Sequence, residues 1–296
     1  MPPGRTRSSK RKAVVGLGPA IPLAIALIHN AVLPSAGTTN GSAPVLPTEI
    51  APVVCEEGLE DFNACHSEYP SGCSASGRYD AYLNVFKNQL EWKDSRVQGW
   101  LSTLDDITQL EGRIPAGLGK SNHGDYIDEL GAIGEGRIYG VVGYVYAIKA
   151  EGKESSNCQL EPGEEDENVD FHIYIGFDPA VANRIRNNSK TAADKTRINP
   201  KAMIVEMTPH YRARFHPEWS LSAVQSALGK QVRVSGQLIA DNEHYLASQD
   251  CGRKDHTSAC WRATVWELHP VTQFETCGKE TCDASSGGWS PIGDGP

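Results

Sequence analysis

A mainly β chain is predicted, built on a five-stranded barrel in the order strand–strand–strand–helix–strand–strand and preceded by a pair of helices. Three observations carry this. From Gly136 onward apolar residues recur with a period of two, as in strands with one buried face. One helical period interrupts that pattern near residues 218–228. Ahead of Gly136 the apolar spacing is three to four, the period of amphipathic helices.

In chain order, residues 1–37 read as an export signal. Arg5, Arg7, Lys10, Arg11 and Lys12 form a basic start, Ala13 to Leu33 runs without a formal charge, and Ser35-Ala36-Gly37 offers small residues at a cleavage spacing. The same run reaches the roughly 20 residues of a membrane span, although Gly16, Gly18, Pro19, Pro22, His29 and Asn30 weaken it. A secreted or periplasmic protein with mature start near Thr38 is therefore expected, with N-terminal anchoring as the alternative and no other membrane contact. Five of the 28 Lys+Arg and none of the 37 Asp+Glu lie in this segment, so cleavage would take the net charge from −9 to −14. That acidity steers the chain away from polyanions, and bulk nucleic acid is not an expected partner.

Residues 38–77, rich in Thr, Ser, Gly and Pro with three cysteines, read as a linker, and residues 78–115 as the helical segment. Its first helix is marked by Tyr79, Tyr82, Leu83, Phe86 and Leu90, its second by Val97, Leu101, Leu104, Ile107 and Leu110, with Gly112 and Pro115 ending it. The barrel covers 134–276. Its first strand puts Ile138, Gly140, Val142, Tyr144, Tyr146 and Ile148 on one face. An acidic loop with Cys158 and Glu161 to Glu167 leads to a strand at 169–176. A basic loop at 183–201 (Arg184, Arg186, Lys190, Lys195, Arg197, Lys201) leads to a strand at 202–208. A helix over 218–228 follows, with Leu221, Val224 and Leu228 on one face and Gly229 at its stop. Strands at 231–240 and 261–275 complete the set, and residues 277–296 read as a flexible tail. This is the order of an OB-fold, whose helix lies between the third and fourth strands. The fifth strand is expected to close onto the first, with Gly140, Gly143 and Gly236 letting strands bend.

Eight cysteines in an exported chain point to disulfides, and Cys251–Cys260 is the expected loop closure. No CxxC pair supports a zinc site built on cysteine.

Chemistry gathers on the polar face of three strands. Asp170 and His172, Glu206, and Glu267 and His269 alternate with apolar residues, and His244 ends the fourth strand. Pro270 directly after His269 marks an expected strand end. Carboxylates beside imidazoles suit a divalent metal, with His172, His269 and Glu206 as candidate ligands, or an oriented general base. The plainer alternatives are a solvated face, or His269 and Glu267 buried and satisfied by backbone. The basic loop could take phosphate or an acidic polymer, and otherwise serves as a solvated connector. Tyr174, Tyr211, Trp219 and Trp261 could stack on bases or sugars if exposed, and otherwise pack the core or rim. Asn187-Asn188-Ser189 matches a glycosylation sequon.

Residues 134–276 resemble a group of exported bacterial OB-like domains. The resemblance rests on Gly134-Glu135-Gly136, Gly143-Tyr144-Val145 with Lys149, Asp170-x-His172, and Ile204-Val205-Glu206-Met207-Thr208-Pro209. It continues through Val232-Arg233-Val234-Ser235-Gly236, Asp241-Asn242-Glu243-His244, and Trp266-Glu267-Leu268-His269-Pro270-Val271-Thr272. His210 departs from it, where relatives tend to carry Arg. The resemblance implies the barrel and the polar cluster and names no reaction. Two functions are therefore carried forward: binding of an extracellular oligomer or small ligand through the barrel face, and metal-dependent, nuclease-like hydrolysis at the cluster.

Overall fold

The computed structural model describes residues 81–154, 156–157, 160–187 and 201–293. The expected signal and linker, four cysteines (55, 65, 73 and 158) and Lys190, Lys195 and Arg197 lie outside the described residues.

Helix α1 spans Ala81–Lys87, and a two-residue strand β1, Trp100–Leu101, precedes helix α2, Leu104–Glu111. The expected second helix therefore begins seven residues later than Val97. Thr103 sets the start: its hydroxyl accepts from the Asp106 backbone N–H, and the Asp106 carboxylate accepts from the Ser102 and Thr103 N–H groups. Such a reciprocal cap satisfies orphan donors only where the helix begins. Upstream, Trp100 pairs in parallel with Gly140, where a Cβ would sit 2.3 Å from the Trp100 ring. A short 3-10 turn, His123–Tyr126, leads into helix α3, Ile127–Ile133.

The barrel strands are β2 (Ile138–Ala150), β3 (Phe171–Gly176), β4 (Met203–Met207), β5 (Gln231–Ala240) and β6 (Trp266–Cys277). They run β2-β3-β4-β6-β5, and β5 closes back on β2. All pairs are antiparallel except β4–β6. The closing pair is thus the fourth strand on the first, not the fifth on the first, because the parallel β4–β6 pairing seats the last strand between the third and fourth. β2 serves both edges, with Ile138 to Tyr144 pairing β5 and Tyr144 to Ala150 pairing β3.

Helix α4 (Pro179–Asn187) occupies the start of the expected basic loop and carries Arg184 and Arg186. The connection from β4 to β5 holds two short helices, α5 (Pro209–Phe215) and α6 (Leu221–Gln225), where one longer helix is expected. Ser220 caps α6 by accepting from the Ala223 N–H, so the helix begins there. β6 continues through Pro270 to Cys277, so the proline does not end the strand. The register with β5 shifts there instead, between Gly236↔Val271 and Leu238↔Leu268. The expected tail is anchored: Cys277–Cys282 is a disulfide, and β7 (Trp289–Pro291) pairs β6.

Alternation decides which residues fill the barrel. Phe171, Ile173, Ile175, Met203, Val205, Met207 and Leu268 point into one core with Val141, Val145, Val232, Val234 and Phe274. Ile107, Leu110, Leu130, Ile133, Trp219 and Val224 join it from the helices and their connections. Trp219 is therefore core, and Tyr174 is buried against Ile204 and Val181, so neither is free to stack on a ligand. Tyr211 packs on Trp92 and Phe215, and Trp261 packs beside Tyr174. No described helix is long and apolar enough to cross a membrane.

Candidate metal and ligand centre

The strand register builds the site. His172 pairs Glu206 across β3–β4, and Ile204 pairs Glu267 across β4–β6. His269, two residues beyond Glu267, therefore lies beside Glu206. The period of two turns all of these side chains to the outer face, opposite the core. That face is not solvated: Asp170, Glu206, Glu267 and His269 are at most 1 % exposed.

Three segments cover it. Helix α1 lies over the end of the face: its Phe86 carbonyl accepts from Gln237 and its Lys87 carbonyl from Thr208. The β2–β3 connection brings Glu151, Glu154 and Ser156, and the Ser156 hydroxyl donates to Asp170 Oδ2. Arg212 holds the end of that connection, donating to the Val169 carbonyl at 2.6 Å with its guanidinium over the Phe171 ring. The β5–β6 connection, closed by the Cys251–Cys260 disulfide, brings His244 and the fully buried Arg262. Among the described residues no cysteine is free, which fits an oxidising compartment.

Two groups of ligand-type atoms result, each closing within 4.8 Å: Asp170, Glu206 and His269, and beside them Asp241, His244 and Glu267. His172 falls outside the first group but touches it, with Nε2 3.0 Å from Glu206 Oε2 and Nδ1 3.1 Å from Glu151. His269 Nδ1 lies 2.9 Å from Glu206 Oε2 and 3.7 Å from Glu267 Oε2. In the second group, Asp241 meets His244 at 2.7 Å and Lys87 at 3.4 Å, while Arg262 reaches Glu267 at 2.5 Å and Asp241 at 3.7 Å. All six residues proposed from the sequence come together here, five on the covered face and His244 from the β5–β6 connection over it. His269 and Glu267 are buried, but they are not satisfied by backbone: Glu267 holds Arg262, and His269 turns Nδ1 to Glu206 while its Nε2 has no partner.

Burial and charge oppose each other here. Burial works against the His172 and His269 cations, but the Glu206 carboxylate outweighs it, holding His172 well above the usual imidazole range and pushing His269 up to about 9. The same two rings overcome burial at Glu206 and hold it well below the usual carboxylate range. Asp170 goes the other way, raised by burial and by Glu206, and Glu154 is pushed up to about 7 by burial and by Asp170. Lys87 and His244 overcome burial at Asp241 and hold it low, whereas Glu267 is raised by burial and the acids around it.

Sequence reasoning missed Lys87, Arg262, Asp241, Glu151, Glu154 and Ser156. Asp241 alone carried a local signal, lying three residues before His244. Comparison with protein-family models, curated proteins and solved structures finds no match to this chain.

Proposed function

We propose that this is an exported binding module, secreted or periplasmic, that takes up a small cationic ligand on the covered outer face of β3, β4 and β6. The observation that carries this is a charge balance that depends on bound protons. Six carboxylates (Glu151, Glu154, Asp170, Glu206, Asp241, Glu267) meet there, against Lys87 and Arg262 inside and Lys149 at the rim. The three imidazoles complete neutralisation only when protonated. Buried charge without a partner is costly, so a ligand cation relieves a strain that protons otherwise relieve. The resemblance to exported OB-like domains and the two disulfides among the described residues support the compartment. The face is also the one on which such barrels take their ligands, between the connections that follow the first and fourth strands.

A thermal-shift panel on the full chain tests this. Divalent metals and spermidine are compared with phosphate, oligosaccharides and single-stranded DNA. Stabilisation confined to cations is expected. Stabilisation by the anionic or neutral probes alone would overturn the proposal.

The second function is metal-dependent hydrolysis. It is favoured by His244, which keeps about 29 % of its side chain exposed while buried Asp241 fixes its Nδ1. A carboxylate that orients an imidazole in this way readies it for proton transfer. Turnover of a phosphodiester by metal-loaded chain, lost in His244→Ala, is the outcome this function requires.

A further inference from the structure

We propose that Asp170, Glu206 and His269 form the binding site of a divalent first-row transition ion, of the Zn²⁺ or Mn²⁺ class. The proposal rests on the cationic-ligand function above and narrows it to one ligand and three residues.

Spacing comes first. Donors on a tetrahedral zinc shell stand ~3.3–3.6 Å apart, since each lies ~2.0–2.2 Å from the ion. One atom from each of the three residues already falls within 4.8 Å of the others, so small side-chain movements close the shell. Strand backbone holds Glu206 and His269, and the Ser156 hydroxyl engages one Asp170 oxygen, leaving Oδ1 for an ion.

Orientation is the second argument. Asp170 Oδ1 and His269 Nε2 are buried and have no hydrogen-bond partner. Buried polar atoms are normally paired, and such a concentration of exceptions needs a specific cause. Glu206 Oε2 and His269 Nδ1 are 2.9 Å apart, while His269 Nε2 and Asp170 Oδ1 have no partner. Neighbouring donors around a common ion stand ~2.8–3.6 Å apart, the separation found for this pair.

Charge is the third. The two carboxylates of this group have no Lys or Arg within ion-pair distance among the described residues. The adjacent group has both, Arg262 on Glu267 and Asp241 and Lys87 on Asp241. An incoming dication is therefore drawn to the first group and repelled from the second. Two oxygens and one imidazole nitrogen suit Zn²⁺ or Mn²⁺ better than an all-oxygen ion such as Ca²⁺ or Mg²⁺.

The full chain, stripped with a chelator, is loaded separately with Zn²⁺, Mn²⁺, Mg²⁺ and spermidine. Bound metal is then counted after gel filtration, and the melting temperature is recorded. One Zn²⁺ per chain, a raised melting temperature and weaker binding of Mg²⁺ are expected. Glu206→Gln should weaken Zn²⁺ by ~100-fold, the upper end of what losing an outer-shell partner costs, because here a ligand itself is altered. Should that variant fail to fold, Asp170→Asn, which is close in shape and keeps a partner for Ser156, should do the same. Folded protein that takes up no stoichiometric metal, or Zn²⁺ held unchanged by either variant, overturns the site. Spermidine stabilising the chain in place of metal would overturn the site and leave the cationic-ligand function standing. No effect of any cation would remove both.

Discussion

The Asp241–His244–Glu267 group and the Asp170–Glu206–His269 group lie on the same covered face, and each is made of two carboxylates and an imidazole. They differ in what neutralises them. Permanent cations do so in the first: Arg262 from the β5–β6 connection and Lys87 from α1, both in place whatever the pH. Only imidazoles, His172 and His269, face the carboxylates of the second. A permanently paired set is a structural tie between barrel, helix and loop. A set balanced by removable protons can exchange them for another cation. Composition alone would rank the two groups equally, and the origin of the compensating charge separates them.

The largest effect expected from this difference is at Arg262. Arg262→Met keeps the length of the side chain and removes the charge, leaving Glu267 and Asp241 buried without it. Breaking a buried pair in this way costs about 3–5 kcal/mol. The expected outcome at pH 7 is a loss of that size in denaturant-induced unfolding, with most of it regained in the Arg262→Met/Asp241→Asn/Glu267→Gln triple variant. A single-variant loss below ~1 kcal/mol would mean that the Asp241–His244–Glu267 group is not a structural tie.

Much of the barrel was legible because strands write their geometry locally. Alternation placed His172, Glu206 and His269 on one kind of face, and strand order brought β3, β4 and β6 together. Lys87 and Arg262 were illegible for the opposite reason. One ends a helix and the other lies in a loop, and no period links residue 87 or 262 to the face they neutralise. Their burial also runs against the general exposure of Lys and Arg. The late start of α2 was in principle readable from Thr103-x-x-Asp106, but Val97, Leu101 and Leu104 have helical spacing and mask it. Strand closure depended on the parallel β4–β6 pairing, a long-range choice that leaves no local mark.

A smaller effect is expected at His244. Burial lowers its affinity for a proton, but Asp241 at 2.7 Å outweighs burial, and its pKa stands above the usual value, with Glu267 adding to this and Arg262 opposing it. Because the folded value is raised, the stability it contributes is fully present below about pH 6.5 and is lost as pH rises through the folded value. Asp241→Asn removes the attraction and leaves burial. The His244 ring, followed by NMR, should then titrate at lower pH than in the parent. An unchanged titration would show that Asp241 does not set the charge of the ring.

The smallest effect is expected where the comparison is sharpest, at Asp170 in metal-free protein. Burial and the neighbouring Glu206 carboxylate both oppose its negative charge, while His269 and the Ser156 hydroxyl favour it, and burial prevails. The charge of Asp170 is therefore not what stabilises the fold when no ion is bound. Asp170→Asn retains shape, keeps an oxygen for Ser156 and removes one member of a repelling pair. Its stability by denaturant unfolding should fall within ~1 kcal/mol of the parent, since surrendering an unfavourable charge offsets the weaker hydrogen bond. The same substitution should abolish most of the stabilisation that Zn²⁺ adds to the parent chain. A loss of several kcal/mol without metal would instead give Asp170 the structural role that Arg262 holds in the neighbouring group, and the distinction between the two groups would fail.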